Sequence, residues 1–71
     1  MKTMTYKGFT GLIRWNEEDQ YYSGKLLNID DLIRYEGSTL EELEIYFHEA
    51  VDEYIEDLKE ESEKALTHKA V

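Results

Sequence analysis

From Thr39 onward the apolar residues change their spacing, and that change constrains the fold more than any other feature. They recur at Leu40, Leu43, Phe47, Ala50, Val51, Tyr54 and Leu58. Intervals of three and four set them along one stripe of an α-helix. No glycine or proline interrupts the run before Leu66. Thr39-Leu40-Glu41-Glu42 has the form of a capping box, with Thr39 as N-cap and Glu42 reaching back. Glu41, Glu42 and Glu44 suit the positive end of the helix dipole, and Lys59 and Lys64 the negative end. A long helix with a single apolar stripe must lay it on something, and the first half of the chain has to supply that surface.

The first half alternates with a period of two. Between Phe9 and Trp15, Phe9, Ile13 and Trp15 fall on one face, with Thr10 and Arg14 on the other. The polar run Asn16-Glu17-Glu18-Asp19-Gln20 reads as a hairpin loop. A second strand runs from Tyr21 to Leu27, with Tyr22, Gly24 and Leu26 inward. After a turn at Asn28-Ile29-Asp30-Asp31, a third runs from Leu32 to Glu36 with Ile33 and Tyr35 inward. Short loops joining such runs predict an antiparallel meander. The expected architecture is α+β: three strands, then one long amphipathic helix across one face, in a single domain over residues 1–66. The tail from Thr67 to Val71 lacks periodicity and is expected to fray.

Seventy-one residues without a cysteine lie near the lower limit for a core that stands alone, since a chain this short buries only about 60% of its unfolded surface. Disulfides and thiolate metal sites are excluded, which leaves self-association as the usual reinforcement. A homodimer is therefore expected, through exposed sheet edges or through the helix at Ile45 and Tyr46. No apolar run approaches the length of a membrane helix, and the N-terminus does not read as a signal peptide. A cytoplasmic protein is the expectation.

Eight basic residues against seventeen acidic ones give a net charge of −9. The imbalance is local. Residues 1–37 hold five basic and six acidic side chains, a net of −1, whereas residues 38–71 hold three and eleven, a net of −8. Such a surface repels nucleic acid and anionic membranes and suits a basic macromolecular partner.

Candidate chemistry is sparse. The acidic loop Glu17-Glu18-Asp19 lacks the ligand spacing of a calcium loop, and the first strand offers no carboxylate pair for two-metal catalysis. His48 shares a helical row with Glu44 and Asp52, but the nearby hydroxyls read as caps or surface groups, so His48 is expected to be a surface residue. The six tyrosines read as core and interface residues rather than base-stacking platforms. Ile45 falls nearly opposite Phe47 on the helical wheel, an apolar residue inside a charged face and a candidate contact anchor. No catalytic, cofactor or metal-binding residue is assigned.

Several segments carry a family resemblance. Tyr6-Lys7-Gly8-Phe9-Thr10, the acidic hairpin Glu17-Glu18-Asp19, Tyr22-Ser23-Gly24-Lys25-Leu26 and Asp31-Leu32-Ile33-Arg34-Tyr35-Glu36-Gly37 follow one pattern. Phe47-His48-Glu49-Ala50-Val51-Asp52-Glu53-Tyr54-Ile55 is its most specific piece. Over roughly residues 6–60 the chain resembles the N-terminal domain of HicB antitoxins. Gln20 stands where that family's hairpin commonly has glycine. The strand that family members usually carry after the helix, and their DNA-binding segment, are not recognisable here.

The resemblance implies a partial RNase H-like fold without catalytic residues, and a cognate HicA-like toxin, small, basic and RNA-cleaving, as the partner. An antitoxin-type module that sequesters such a toxin is the leading expectation. A solitary self-associating domain without a toxin is the alternative, and an RNA-binding domain is opposed by the charge. Glu49, Asp52, Glu53, Glu56 and Ile45 are the expected partner-binding residues.

Overall fold

The structure, a computed structural model, describes residues 2–60 in full. The expected domain end near Leu66 and the expected frayed tail lie outside the described residues. Four strands precede one helix: β1 (Lys2–Tyr6), β2 (Phe9–Asn16), β3 (Tyr21–Lys25), β4 (Arg34–Gly37) and α1 (Leu40–Ala70). The strands form one antiparallel sheet in the order β1-β2-β3-β4. The α+β class, the antiparallel sheet and the single helix agree with the sequence reading, but the strand count does not: there are four strands, not three.

The additional strand is β1. Tyr6 pairs with Phe9 across a two-residue turn, and Lys7 and Gly8 there both have positive φ, 50° and 82°. A type I′ hairpin turn requires this conformation at both positions. The strand is short and carries little hydrophobicity, with Thr3 and Thr5 exposed on one face and Met4 and Tyr6 partly buried on the other. Its pairing with β2 therefore comes from turn geometry more than from apolar pattern.

The other loops adjust the expected boundaries. Glu17 to Gln20 join β2 to β3, and Gln20 takes the left-handed conformation at φ 50°. β3 ends at Lys25 and leaves Leu26 as an isolated bridge to Gly11. β4 begins at Arg34, and Leu32, expected within that strand, is exposed.

The core sits between α1 and one face of the sheet. Leu43, Phe47 and Val51, spaced four apart, are completely buried against Leu26 and Tyr35. Met4, Tyr6, Phe9, Ile13 and Ile33 pack around them. Truncating Phe47 to alanine would cost about 3–5 kcal/mol, a large share of the stability of so small a domain. The stripe is narrower than its sequence pattern, because Leu40 and Leu58 are each nearly half exposed. Trp15 shares the sheet face of Tyr22, its cross-strand partner with ring centroids 4.7 Å apart, but it is 47% exposed instead of facing the core.

Tyr35 fixes the middle of the sheet. Its hydroxyl donates to the Leu12 carbonyl at 2.9 Å and lies 3.3 Å from that of Lys25, bridging β2 and β3 between Arg14–Ser23 and the Gly11–Leu26 bridge. Burial pushes the phenol up to about 12. Two glycines make room for it. A Cβ on Gly24 would collide with the Leu12 carbonyl oxygen and stand 2.6 Å from the Tyr35 ring, and one on Gly11 would collide with the Tyr35 hydroxyl.

Candidate functional site

The helix presents two flanks and an outer ridge, and the expected binding residues divide among them. On the flank above β4, Glu42, Tyr46, Glu49 and Glu53 line an open groove whose other wall includes Arg34 and Glu36. All four helix residues are exposed. Glu56 and Ile45 are also exposed, and their positions on the helical wheel place both on the outer ridge. Ile45 exposes more than half its surface, and Tyr46 nearly half. Apolar area amid carboxylates is what a contact anchor needs.

Asp52 lies on the opposite flank, away from Glu49 and Glu53. The Lys7 ammonium, held by the β1–β2 turn, reaches it at 2.7 Å, and the Tyr6 hydroxyl donates to its other oxygen at 3.3 Å. The hydrogen bond from Lys7 holds the Asp52 carboxyl below its usual range, and the same bond raises the Lys7 ammonium above its own. The charge of Asp52 is thus already answered within the chain. His48 stands beside it, partly buried, with its ring stacked on Tyr6 at 3.9 Å and 16°. Its Nε2 is 3.9 Å from a Glu44 carboxylate oxygen.

Among the described residues Lys7 and Asp52 form an ion pair, and His48 lies within 3.9 Å of Glu44. Glu49, Glu53 and Glu56 take part in neither, so their field acts outward. The sheet face away from the helix carries Arg14, Lys25 and Arg34, all exposed, as the strand alternation predicts.

Among the described residues the sheet has two free edges, β1 and β4. Leu26 donates to the Ile33 carbonyl at 3.0 Å, which makes that pair a hydrogen-bonded rung. Alternation along an antiparallel ladder then turns Tyr35 and Gly37 toward β3 and leaves the amide and carbonyl of Arg34 and Glu36 facing solvent. The opening on β4 is short. Just beyond it the Ser38 amide is taken by the Glu42 carboxylate at 2.8 Å.

Among the described residues no group of three or more His, Cys, Asp or Glu side chains is placed to hold a metal ion, and no helix is long and apolar enough to cross a membrane. Comparison with family models, with curated proteins and with solved structures gives no match for this chain.

Sequence reasoning missed the tie from Lys7 and Tyr6 to Asp52, and with it the division of the acidic residues between two flanks. Helical spacing places Asp52 and Glu49 on different sides of the apolar stripe. Only the hairpin turn, signalled by Gly8 between alternating runs, brings a lysine to one of them.

Proposed function

We propose that this chain is an antitoxin-type binding module, a HicB-like domain of partial RNase H-like fold that sequesters a small, basic, RNA-cleaving HicA-like toxin and is itself no enzyme. The observation that carries the reading is the row of exposed carboxylates on Glu42, Glu49 and Glu53, beside the open edge of β4 and the half-exposed rings and chains of Tyr46 and Ile45. A basic protein that binds RNA presents cationic side chains for phosphate, and carboxylates in a row compete for the same side chains. Glu49, Glu53 and Glu56 supply the attraction, and Ile45 and Tyr46 supply apolar contact. Asp52 holds the β1–β2 turn against the helix and contributes to the partner surface only indirectly. The reading places the protein in the cytoplasm, where such a toxin acts.

Electrostatic complementarity acts mainly through the association rate, over a screening length of about 8 Å at physiological ionic strength. The test is surface plasmon resonance with a purified HicA-like toxin across a salt series, comparing wild type with E49Q/E53Q/E56Q. The expected result is an association rate about tenfold lower for the variant at low salt, a gap that narrows as salt rises, and unchanged helicity. A variant that binds as fast as wild type at every salt concentration would remove the acidic flank from the interface. No toxin binding by a chain that nevertheless self-associates would favour the solitary domain instead.

A further inference from the structure

We infer that β1 is a self-complementary edge through which two copies of this chain join their sheets. The inference does not depend on the antitoxin reading.

The orientation of the β1 backbone follows from bonds further into the sheet. Leu27 donates to the Thr10 carbonyl at 2.9 Å, so Thr10, and by alternation Leu12 and Arg14, direct their backbone groups toward β3. Phe9, Gly11 and Ile13 therefore direct theirs toward β1, where they meet Tyr6, Met4 and Lys2. That leaves the amide and carbonyl of Thr3 and of Thr5 facing away from the sheet. Both residues are exposed, neither is charged, and neither proline nor a bulge protects the edge. Natural edges are usually blunted by such devices.

The spacing fits a second copy. With a two-fold axis through Met4, Thr3 of one copy meets Thr5 of the other and Thr5 meets Thr3, so every outward amide faces an outward carbonyl. Met4 opposes its own equivalent in a non-hydrogen-bonded pair, with Cα atoms about 4.5 Å apart. Threonine opposite threonine is a favourable cross-strand pair. Lys2 then stands opposite Tyr6 of the other copy, on the sheet face that carries α1. The flank beyond that tyrosine holds Glu44, His48 and Asp52, with Lys7 on Asp52, so each exposed Lys2 meets a surface of mixed charge that does not repel it.

β4 is the competing edge, since Arg34 and Glu36 could also oppose each other across a two-fold axis. There, however, each helix presents Glu42, Glu49 and Glu53 above the edge, and joining two such edges brings like charges together. On the β1 side, lysines and a histidine intermix with the acids. The charge distribution assigns β1 to self-pairing and leaves β4 open.

The experiment uses the protein alone. Wild type is expected to sediment as a dimer at tens of micromolar. T3K/T5K sets like charges directly opposite in this register while leaving the partly buried Met4 and Tyr6 of each monomer unchanged. It should raise the dissociation constant about tenfold or more with unchanged circular dichroism. T3K/T5E sets opposite charges across the same pairs and should restore the dimer. Met4→Cys, in a chain with no other cysteine, should cross-link to itself under mild oxidation. A monomeric wild type would overturn the inference. So would a T3K/T5K variant that dimerises as well as wild type, because the copies would then meet at β4 or along the helix.

Discussion

Gln20, like Lys7 in the β1–β2 turn, adopts a backbone conformation that its side chain disfavours. Its φ of 50° lies in the left-handed region, which costs a side chain other than glycine or asparagine about 1–2 kcal/mol. Asn28, at φ 60°, belongs to a residue type that enters this region more readily. Gly8 occupies it without cost. Glycine at position 20 would relieve the strain but enlarge the conformational freedom of the unfolded chain, a partial offset. Gln20→Gly is therefore expected to stabilise the domain by about 0.5–1 kcal/mol, seen as a rise of several degrees in the thermal midpoint. An unchanged or lower midpoint would mean that the loop relaxes away from this geometry in solution. The other glycines behave differently: at Gly11 and Gly24 the requirement is space for Tyr35 and Phe47, not backbone freedom.

At the scale of the element, the start of α1 is fixed by its cap. The Glu42 amide donates to the Thr39 hydroxyl at 3.1 Å, and the Glu42 carboxylate accepts from the Ser38 amide at 2.8 Å. The reciprocal arm thus reaches one residue further back than the standard capping box. It satisfies a backbone donor just past the end of β4 and so terminates that strand as well as starting the helix. Thr39→Ala removes a side-chain acceptor from the first turn and is expected to cost about 1 kcal/mol, measurable as a lower urea midpoint with an unchanged slope. An unaffected midpoint would show that Glu42 alone fixes the helix start. The helix is otherwise held by packing on one stripe, because its carboxylate-rich exposed face adds little cohesion of its own.

For the whole molecule, the tie between Lys7 and Asp52 joins the β1–β2 turn to the helix flank. The Asp52 carboxyl is held below its ordinary pKa in the folded state. Its contribution is therefore present above the ordinary carboxylate range and is lost as pH falls through the lower folded value. Lys7 is shifted upward, so its contribution is complete below the ordinary lysine pKa and fades only as strong alkali passes the higher folded value. Between those limits the tie is constant. Both groups are about half exposed, so the effect is small and salt-sensitive. Asp52→Asn is expected to lower the urea midpoint at neutral pH, with the difference from wild type closing as the solution is acidified below the carboxylate range. A difference that persists unchanged in strong acid would assign the loss to packing.

Elements whose pattern is strong and local are legible in the amino-acid sequence. The helix from Thr39, its stripe of Leu43, Phe47 and Val51, the alternating strands at Phe9 and Tyr21, and the basic outer face of Arg14, Lys25 and Arg34 all follow from spacing, because period and burial are coupled in a two-layer fold. The tertiary structure alone decided the rest. β1 carries too few apolar residues to signal a strand and exists because a two-residue turn lays it beside β2. Leu40, Leu58 and Trp15 fit the apolar pattern yet lie exposed, because one helix and a narrow sheet cover only the residues where the two layers overlap. Spacing sets Asp52 and Glu49 on different sides of the stripe, but only the fold brings the lysine of the turn to one and leaves the other exposed. Spacing fixes which side of an element a residue occupies, whereas packing fixes what it meets there.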